Sequence, residues 1–376
     1  MVRILIAAGG TAGHINPALA IAGQLRQQYP DAQISFAGRK KGMEHRLVTA
    51  AGYPFYPIEV HGFQRSFTPR NILRNLSALF WLALSPVRAG AILRQLKPDL
   101  VIGTGGYVSG PMVRAAAKKG IRTAIHEQNA FPGVTNKLLA PMVDVVLAAV
   151  PAAVEKLGAP QKTVVCGNPV RPEMFAQDAA AARRELGIPE GKTVLLSFGG
   201  SLGAQRVNEM VADLAAWHVA HADFYHIHAT GQYGVQLFRT LARQKGFENS
   251  PHMDVREYID DMPRCLAAAD LVICRAGALT LAELEAMGRA SILIPSPNVA
   301  ENHQYYNALE LEKAGGARVL EEKELTGEKL IETVRQLTEK PDTLRIMGMC
   351  AKKCGEPRSL EIIGQALAPL LDGRAR

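Results

Sequence analysis

Several features that would define a compartment or a metal site are missing from this 376-residue chain. It has only five cysteines, and none of them form a CxxC pair, which excludes the common zinc and dithiol motifs. We therefore expect reduced thiols, as in cytoplasmic proteins. No run approaches the ~20 apolar residues that span a bilayer. The apolar start is too short for a signal peptide, and no low-complexity tract interrupts the chain.

The chain does contain short apolar runs that end in a turn with glycine and continue as a helical pattern. Two fall in each half, at residues 2–8, 99–102, 193–198 and 270–274. Strands that alternate with helices in this way predict an α/β protein with parallel sheets. The length is sufficient for two domains, each with its own core.

The first of these turns, GGTAGH at residues 9–14, has the most distinctive chemistry. Glycine lets a ligand approach the backbone, and a helix N-terminus favours an anion. Asn16 is predicted to cap the following helix and Pro17 to be its first residue. His14 adds a titratable side chain to the turn. A turn without a ligand is the alternative, because such turns are common in α/β proteins.

Charge is distributed unevenly along the chain. Residues 1–163 contain 19 lysines and arginines against 7 acidic residues, whereas residues 164–376 contain 24 against 28. A basic first half indicates an anionic partner, either a membrane or a nucleic acid. Charge that only aids solubility is the alternative interpretation.

A hydrophobic segment with flanking arginines lies within the basic half, at residues 65–94. It is too short to cross a bilayer, but it fits a helix that dips into an anionic interface. A buried helix with solvated ends is the alternative. The residues expected at the membrane are Arg70, Ile72, Arg74, Leu76, Leu79, Phe80, Trp81 and Arg88.

Polar residues after other apolar runs mark further candidate positions. His126 to Asn129 follow a predicted strand, where open α/β sheets bind ligands. Residues 167–172 read as a linker, which places a domain boundary near residue 164. Arg171 in that linker is suited to clamp a phosphate. A strand is predicted at residues 255–259.

These motifs, in this order, resemble the MurG family of bacterial peptidoglycan glycosyltransferases over almost the whole chain. The matching segments are GGTAGHINPAL, GGYVSGP, HEQN with the later TNK, GNPVR, GGS, YIDDM, CRAGALTLAE and HQYYNA. Three positions depart from the family pattern. Ala12 replaces a frequent glycine, Ala276 a frequent serine and His303 a frequent glutamine.

The resemblance implies a GT-B glycosyltransferase fold, with two Rossmann-like domains and parallel sheets facing across a cleft. The N-terminal domain, residues 1–163 with a returning helix at 357–376, would bind acceptor and membrane. Residues 164–356 would bind UDP-N-acetylglucosamine. The implied reaction transfers N-acetylglucosamine, with inversion, to the C4 hydroxyl of undecaprenyl-pyrophosphoryl-N-acetylmuramyl-pentapeptide, which converts lipid I to lipid II.

The implied location is the cytoplasmic face of the bacterial membrane, as a peripheral protein. Anionic inner-leaflet lipids, and possible wall-synthesis proteins, would be its partners, and no nucleic acid is expected. The chain lacks a DxD motif, so no obligatory metal or other cofactor is expected.

The resemblance also assigns roles to individual residues. His14 and Glu127 are rival catalytic bases. The donor contacts are Thr11, Ala12, Gly13, Asn129, Arg171, Ser201, Ile259, Ala278, Leu279, Thr280, Glu283, His303 and Gln304. The acceptor contacts, which include the Thr11–His14 turn, are His14, Gly105, Gly106, Tyr107 and Asn136.

Three other functions compete with the transferase. A UDP-N-acetylglucosamine 2-epimerase shares the donor but needs no lipid acceptor, so it leaves the arginine-flanked apolar segment unexplained. A non-catalytic sugar-nucleotide sensor leaves His14 and Glu127 unexplained. A Rossmann dehydrogenase needs an acidic residue after the second strand, where this chain has Gly38, Arg39 and Lys40.

Overall fold

A computed structural model describes residues 1–60, 69–200, 202–221 and 224–373, without the side chains of residues 69–80, 82, 83, 300 and 341. The chain forms two compact units. The first contains Met1–Val170 and the segment from Glu356 onward, and the second contains Arg171–Gly355.

The first unit has a seven-stranded sheet in which every pair is parallel, in the order β3-β2-β1-β4-β5-β6-β7. Its strands are β1 (Arg3–Ala7), β2 (Gln33–Gly38), β3 (Phe55–Pro57), β4 (Leu100–Gly103), β5 (Arg122–Glu127), β6 (Val145–Ala148) and β7 (Thr163–Val165). The central strands are buried and almost wholly apolar, as expected where helices cover both faces.

Among the described residues, seven helices accompany this sheet. They are α1 (Ala12–Gln28), α2 (Met43–Ala50), α3 (Pro69–Leu96), α4 (Ser109–Lys118), α5 (Val134–Leu139), α6 (Val154–Leu157) and α15 (Ser359–Asp372). In the described part of the chain, no helix combines the length and the apolar character that crossing a membrane requires.

The second unit repeats the plan with six parallel strands in the order β10-β9-β8-β11-β12-β13. Its strands are β8 (Thr193–Phe198), β9 (Phe224–Ala229), β10 (Met253–Arg256), β11 (Leu271–Cys274), β12 (Ala290–Leu293) and β13 (Ala317–Val319). Its helices are α7 (Ala179–Glu185), α8 (Gln205–His221), α9 (Val235–Gln244), α10 (Met262–Ala268), α11 (Ala278–Met287), α12 (His303–Lys313), α13 (Gly327–Thr338) and α14 (Pro341–Cys354).

The strand orders bring the four predicted turns together in pairs. In the first sheet the order reverses between β1 and β4, and in the second between β8 and β11. The turns that follow these strands therefore lie side by side at the carboxyl edge, where open α/β sheets bind ligands. The predicted α/β fold with two parallel sheets is confirmed.

Helix α15 belongs to the first unit, where it packs on α1. Its Ile363, Leu367 and Leu371 join the buried cluster that contains Ile4 and Ile21. The boundary between the units follows Val170, later than the predicted position near residue 164. The reason is that residues after β7 still contact the first unit: Cys166 joins its buried cluster, and Asn168 Nδ2 donates to the Gln128 carbonyl at 3.0 Å.

Two local predictions are wrong. Helix α1 begins at Ala12 with Thr11 at its N-cap, so Asn16 does not cap it and Pro17 lies inside it. Pro17 is the sixth residue of the helix and lies past its first turn, so it removes the hydrogen bond that a backbone N–H there would donate to the Gly13 carbonyl. The strand predicted at residues 255–259 is also misplaced, since β10 ends at Arg256.

A chain of buried imidazoles in the second unit predicts acid sensitivity. His218 Nε2 lies 3.2 Å from His226 Nδ1, and Ser197 Oγ lies 2.7 Å from both His226 and His228. Burial lowers the pKa of His218 to about 4 and that of His228 to about 3. The unfolded chain binds protons near pH 6.5, so the stability contributed by these neutral rings is lost as pH falls below that value.

Glu285 acts in the opposite direction, because burial raises its pKa to about 7. The folded state then binds the extra proton, so this group adds stability as pH falls below 7. We expect Glu285→Gln to lose thermal stability steadily from pH 7 to pH 5, more steeply than the wild type. Unfolding midpoints at fixed ionic strength measure this. The control is Glu285→Gln/His228→Phe, in which the midpoint should depend less steeply on pH because one buried imidazole is absent. A flat profile for Glu285→Gln would contradict the prediction.

Candidate active site

His14 lies in the first turn of α1, directly after the glycine turn that follows β1. Its Nδ1 is 3.2 Å from the Gly9 carbonyl oxygen and 3.3 Å from Thr11 Oγ1. A carbonyl oxygen only accepts hydrogen bonds, so Nδ1 donates and carries the ring proton of the neutral imidazole. Nε2 is then the nitrogen with a lone pair. The Gly9 carbonyl thus selects the tautomer that accepts a proton at Nε2.

The turn after β4 packs tightly against His14. A Cβ atom at Gly105 would lie 2.6 Å from His14 Cδ2 and 3.0 Å from Nε2. One at Gly106 would lie 2.1 Å from the Gly9 carbonyl oxygen. Thr104 Oγ1 also donates to the His14 carbonyl at 2.8 Å. The two turns therefore form one unit, and only glycine fits at their contact.

Glu127, at the end of β5, is the centre of a separate hydrogen-bond network. Its Oε1 accepts the backbone N–H and the side-chain amide of Asn129, at 3.0 and 2.9 Å. Its Oε2 accepts the Gly133 N–H at 3.1 Å and Asn136 Nδ2 at 2.8 Å. The carboxylate is buried, with the residue 2% exposed. This arrangement suits a group that fixes the 128–136 loop better than one that takes a proton from a substrate.

The other predicted acceptor residues differ in exposure. Tyr107 is 51% exposed, so its ring is available to a ligand. Asn136 is 3% exposed, and its amide also donates to the His126 carbonyl at 3.2 Å. The structure thus brings Asn136 to Glu127 and away from the surface.

In the second unit, the turns after β8 and β11 border a cavity of about 660 Å³. Thr280 and Gln304, both predicted donor contacts, line it together with Gly199 and Gly200. Gln304 Oε1 accepts the Ser296 N–H at 2.9 Å, which joins the start of α12 to the loop after β12. A cavity of this size with backbone N–H groups at its edge suits a small polar ligand.

Arg275 also lines this cavity, although it is not among the predicted donor contacts. It donates to the carbonyls of Ile294 and Pro295, both at 3.1 Å, and pairs with Glu322. The CRAG motif contains this arginine, but its acidic partner lies 47 residues further along the chain, and no local sequence pattern connects the two. Ala276 beside it is fully buried, so this position faces the core rather than a ligand.

Arg171 and Glu283 meet at the edge of α11, with Arg171 Nη2 3.5 Å from Glu283 Oε1. Burial raises the pKa of Glu283, and the Arg171 guanidinium partly opposes that rise. Ala278 and Leu279 are half-buried at the start of α11, as is His303 at the start of α12. Ile259 is 3% exposed, so its side chain is packed into the unit. Ser201 lies outside the described residues.

Comparison with known proteins agrees with this two-part organisation. Residues 4–148 match the glycosyltransferase family 28 N-terminal domain, and residues 194–360 match the family 28 C-terminal domain. A crystal structure of MurG from Acinetobacter baumannii is similar with a TM-score of 0.75 and 30% identity, over 97% of this chain and 99% of that one. A UDP-GlcNAc 2-epimerase from Neisseria meningitidis has a TM-score of 0.67 over 97% and 99% of the two chains, but at 13% identity it shows the fold alone.

Two bacterial relatives are named UDP-N-acetylglucosamine–N-acetylmuramyl-(pentapeptide) pyrophosphoryl-undecaprenol N-acetylglucosamine transferase. The one from Acetivibrio thermocellus is 41% identical over 99% of both chains. The one from Ruminiclostridium cellulolyticum is 43% identical over 93% of this chain and 95% of its own. With this identity over nearly the full length, the chain belongs to the MurG family of glycosyltransferases, with a GT-B fold.

Proposed function

We propose that this chain transfers N-acetylglucosamine from UDP-N-acetylglucosamine to undecaprenyl-pyrophosphoryl-N-acetylmuramyl-pentapeptide in peptidoglycan synthesis. The observation that carries the proposal is 41% identity to a transferase of that name over 99% of both chains. The geometry of His14 supports the proposal, because a ring with its proton on Nδ1 has a lone pair on Nε2 that can accept the proton of a hydroxyl. The identity also favours the transferase over the epimerase, whose solved relative shares only 13%.

The proposed reaction is a single in-line displacement. His14 Nε2 takes the proton of the acceptor's C4 hydroxyl while that oxygen bonds to the anomeric carbon of the donor sugar. The bond from that carbon to the diphosphate breaks, and UDP leaves with the electron pair. Attack on the face opposite the leaving group inverts the configuration. Alignment of the two reactants lowers the barrier in addition to the proton transfer.

The departing diphosphate requires positive charge and N–H donors. We assign this role to Arg171, Ser201 and the backbone N–H groups of the turn after β8, because such turns hold phosphate. Glu283 is assigned to the ribose hydroxyls. Ile259 is assigned to the uracil through its backbone, because its side chain is buried. In the second unit, the residues at the starts of α11 and α12 are also assigned to the donor. In the first unit, Thr11, Ala12, Gly13 and Asn129 are assigned as donor contacts on the basis of the family resemblance. The acceptor pyrophosphate is assigned to the Thr11–His14 turn, Gly105 and Gly106, with Tyr107 nearby.

Glu127 is assigned to a positioning role. It is a weaker candidate for the base than His14, because four N–H groups already occupy its oxygens. A proton bound there would break at least one of these contacts. Asn136, buried against Glu127, acts in the same network.

Product analysis tests the proposed function. Labelled UDP-N-acetylglucosamine is incubated with a short-chain lipid I analogue, and the lipid fraction is examined for labelled disaccharide. We expect label in the lipid and stoichiometric release of UDP. Labelled UDP-N-acetylmannosamine without lipid product would instead identify an epimerase. Donor binding without any turnover would identify a sensor.

We further propose that the chain binds the cytoplasmic face of the membrane as a peripheral protein, with wall-synthesis enzymes as candidate neighbours. The arginines of residues 65–94 and the excess of basic residues in the first half support attraction to anionic lipid. Within the described side chains of this segment, the exposed Arg88 guanidinium stacks over the Trp81 ring at 4.6 Å. This pairing of a cation with an aromatic ring suits an interface.

Charge reversal tests the membrane proposal. Arg70→Glu/Arg74→Glu/Arg88→Glu is expected to weaken binding to phosphatidylglycerol-containing vesicles at least tenfold, because each basic residue near the surface contributes about 1 kcal/mol. Co-sedimentation measures this. The control reverses three exposed arginines of the second unit, Arg184, Arg239 and Arg318. Equal binding by the two triple variants would contradict the proposal.

A further inference from the structure

A second cavity of about 660 Å³ lies at the opposite edge of the second sheet from the glycine turns. Thr193 and Ala290, which line it, begin strands β8 and β12, whereas the glycine turns follow strand ends. Helix α11 has the donor-site residues at its start and Met287, which lines this cavity, at its end. The two cavities are thus separated by the length of a ten-residue helix, about 15 Å. We call this second cavity the basic groove.

Six cationic side chains from separate segments converge on the basic groove. They are Arg183, Lys192, Arg289, Lys340, Arg345 and Lys352. Asp270 is the one carboxylate among the described lining residues. The concentration of positive charge is unusual for this part of the chain, because acidic residues outnumber basic ones there by 28 to 24 over residues 164–376.

Ion pairs within the protein neutralise only part of this charge. Arg183 pairs with Asp270 at 2.6 Å, and Arg345 pairs with Asp342 at 3.0 Å. In the described chain, no carboxylate oxygen lies within 4.0 Å of a charged nitrogen of Arg289, Lys340 or Lys352. Like charges that face one cavity repel each other, so an anion that binds between them is favoured.

Arg289 shows this imbalance most directly. Its Nη1 donates to the Ala269 carbonyl at 2.9 Å, but its buried Nε has no partner among the described residues. Burial lowers its pKa, Asp270 partly opposes that change, and the neighbouring Arg183 adds to it. The bond to Ala269, at the end of α10, gives Arg289 a structural role as well. That role does not explain why Lys340, just before α14, and Lys352, on α14, line the same groove.

Helix α14 lines the groove along most of its length. Lys340 precedes its first residue, and Leu344, Arg345 and Lys352 lie along the helix. The arginine fork matches phosphate oxygens, and lysine supplies point charge. The volume exceeds what one phosphate fills and lies in the range of small-ligand sites.

We propose that the basic groove binds a small soluble ligand with at least two phosphate groups, in a site distinct from the donor cavity. The proposal is independent of the transferase reaction. The observation that carries it is the convergence of six cations on one recessed cavity with a single carboxylate among its described lining residues. Such a ligand would be a nucleotide or a polyphosphate.

Binding of inorganic tripolyphosphate to the intact chain tests the proposal. Calorimetric titration is performed with saturating UDP, so that a diphosphate site in the donor cavity is already filled. We expect one site in the wild type and at least a tenfold loss of affinity in Lys340→Gln/Arg345→Gln/Lys352→Gln. These three side chains are exposed, so the substitutions should leave the fold intact, which thermal unfolding checks.

The control neutralises an equal number of exposed cations elsewhere in the unit, as Lys313→Gln/Arg239→Gln/Arg318→Gln. Retained affinity in the control, with loss in the groove variant, supports the site. Equal losses in both variants would show only general attraction of a polyanion and overturn the proposal. Absence of binding to the wild type would overturn it too. Titration with orthophosphate separates a site for one phosphate group from the proposed polyphosphate site.

Discussion

Replacing His14 with alanine is expected to lower kcat for sugar transfer by about 10²–10⁴-fold, the range for loss of a general base. The ring's Nδ1–H is held by the Gly9 carbonyl, so the alanine variant loses a base already set in the reactive tautomer. Donor binding should change little, because no chemistry is needed to bind UDP. Steady-state transfer to a lipid I analogue measures kcat, and calorimetry with UDP measures the binding.

Two comparisons make the His14 result specific. His221→Ala removes an exposed histidine from the second unit and should leave kcat unchanged. Glu127→Gln should lower transfer together with thermal stability, because it replaces one acceptor oxygen by an amide that faces N–H donors. In Glu127→Gln, the pH profile of kcat/KM should keep the loss of activity at low pH that protonation of the base causes. In His14→Ala, the profile should lose this feature. The reverse assignment of these profiles would make Glu127 the base.

Replacing Gly106 with alanine is expected to cause the largest loss of stability among the single substitutions considered. Its φ is +79°, which alone costs an alanine about 1–2 kcal/mol. Its new Cβ would also lie 2.1 Å from the Gly9 carbonyl oxygen, a backbone atom that cannot rotate away. The turns after β1 and β4 would have to separate, and the hydrogen bond between His14 Nδ1 and the Gly9 carbonyl would then be lost. We therefore expect a loss of several kcal/mol together with near-complete loss of transfer.

Gly120→Ala separates the two causes. Gly120 has a φ of +68°, and a Cβ added there would have no neighbouring atom within 4 Å, so only the conformational cost applies. It follows α4 on the surface of the same unit. Thermal unfolding midpoints should fall slightly for Gly120→Ala and far more for Gly106→Ala. Equal shifts in the unfolding midpoint would mean that the close contact of the two turns does not contribute to the loss of stability in Gly106→Ala.

Features set by neighbouring residues were predictable from the sequence. The strands before the glycine turns follow from short apolar runs, and β8 has the predicted ends, residues 193–198. The start of α1 was missed because Asn16–Pro17 matches the local capping pattern, whereas Thr11 caps the helix without a side-chain hydrogen bond. A rule based on neighbouring residues does not distinguish a helix that starts after Thr11 from one that starts after Asn16.

Features set by contacts between distant residues were not predictable. The burial of Asn136 depends on the hydrogen bond from its amide to Glu127, and the ion pair of Arg275 depends on Glu322. The extent of the first unit depends on contacts such as the hydrogen bond from Asn168 to the Gln128 carbonyl. The cations of the basic groove are scattered over residues 183–352, so no stretch of sequence displays them as a cluster.

The return of α15 to the first unit has a consequence for biosynthesis. Ile363, Leu367 and Leu371 complete an apolar cluster whose other members come from residues 4–166. A ribosome makes the whole second unit before it makes this helix. During that time the surface of α1 that α15 covers is open to water, and the nascent first unit is correspondingly exposed to aggregation and chaperones. The second unit is contiguous in sequence, so it has all its strands before the first unit is closed.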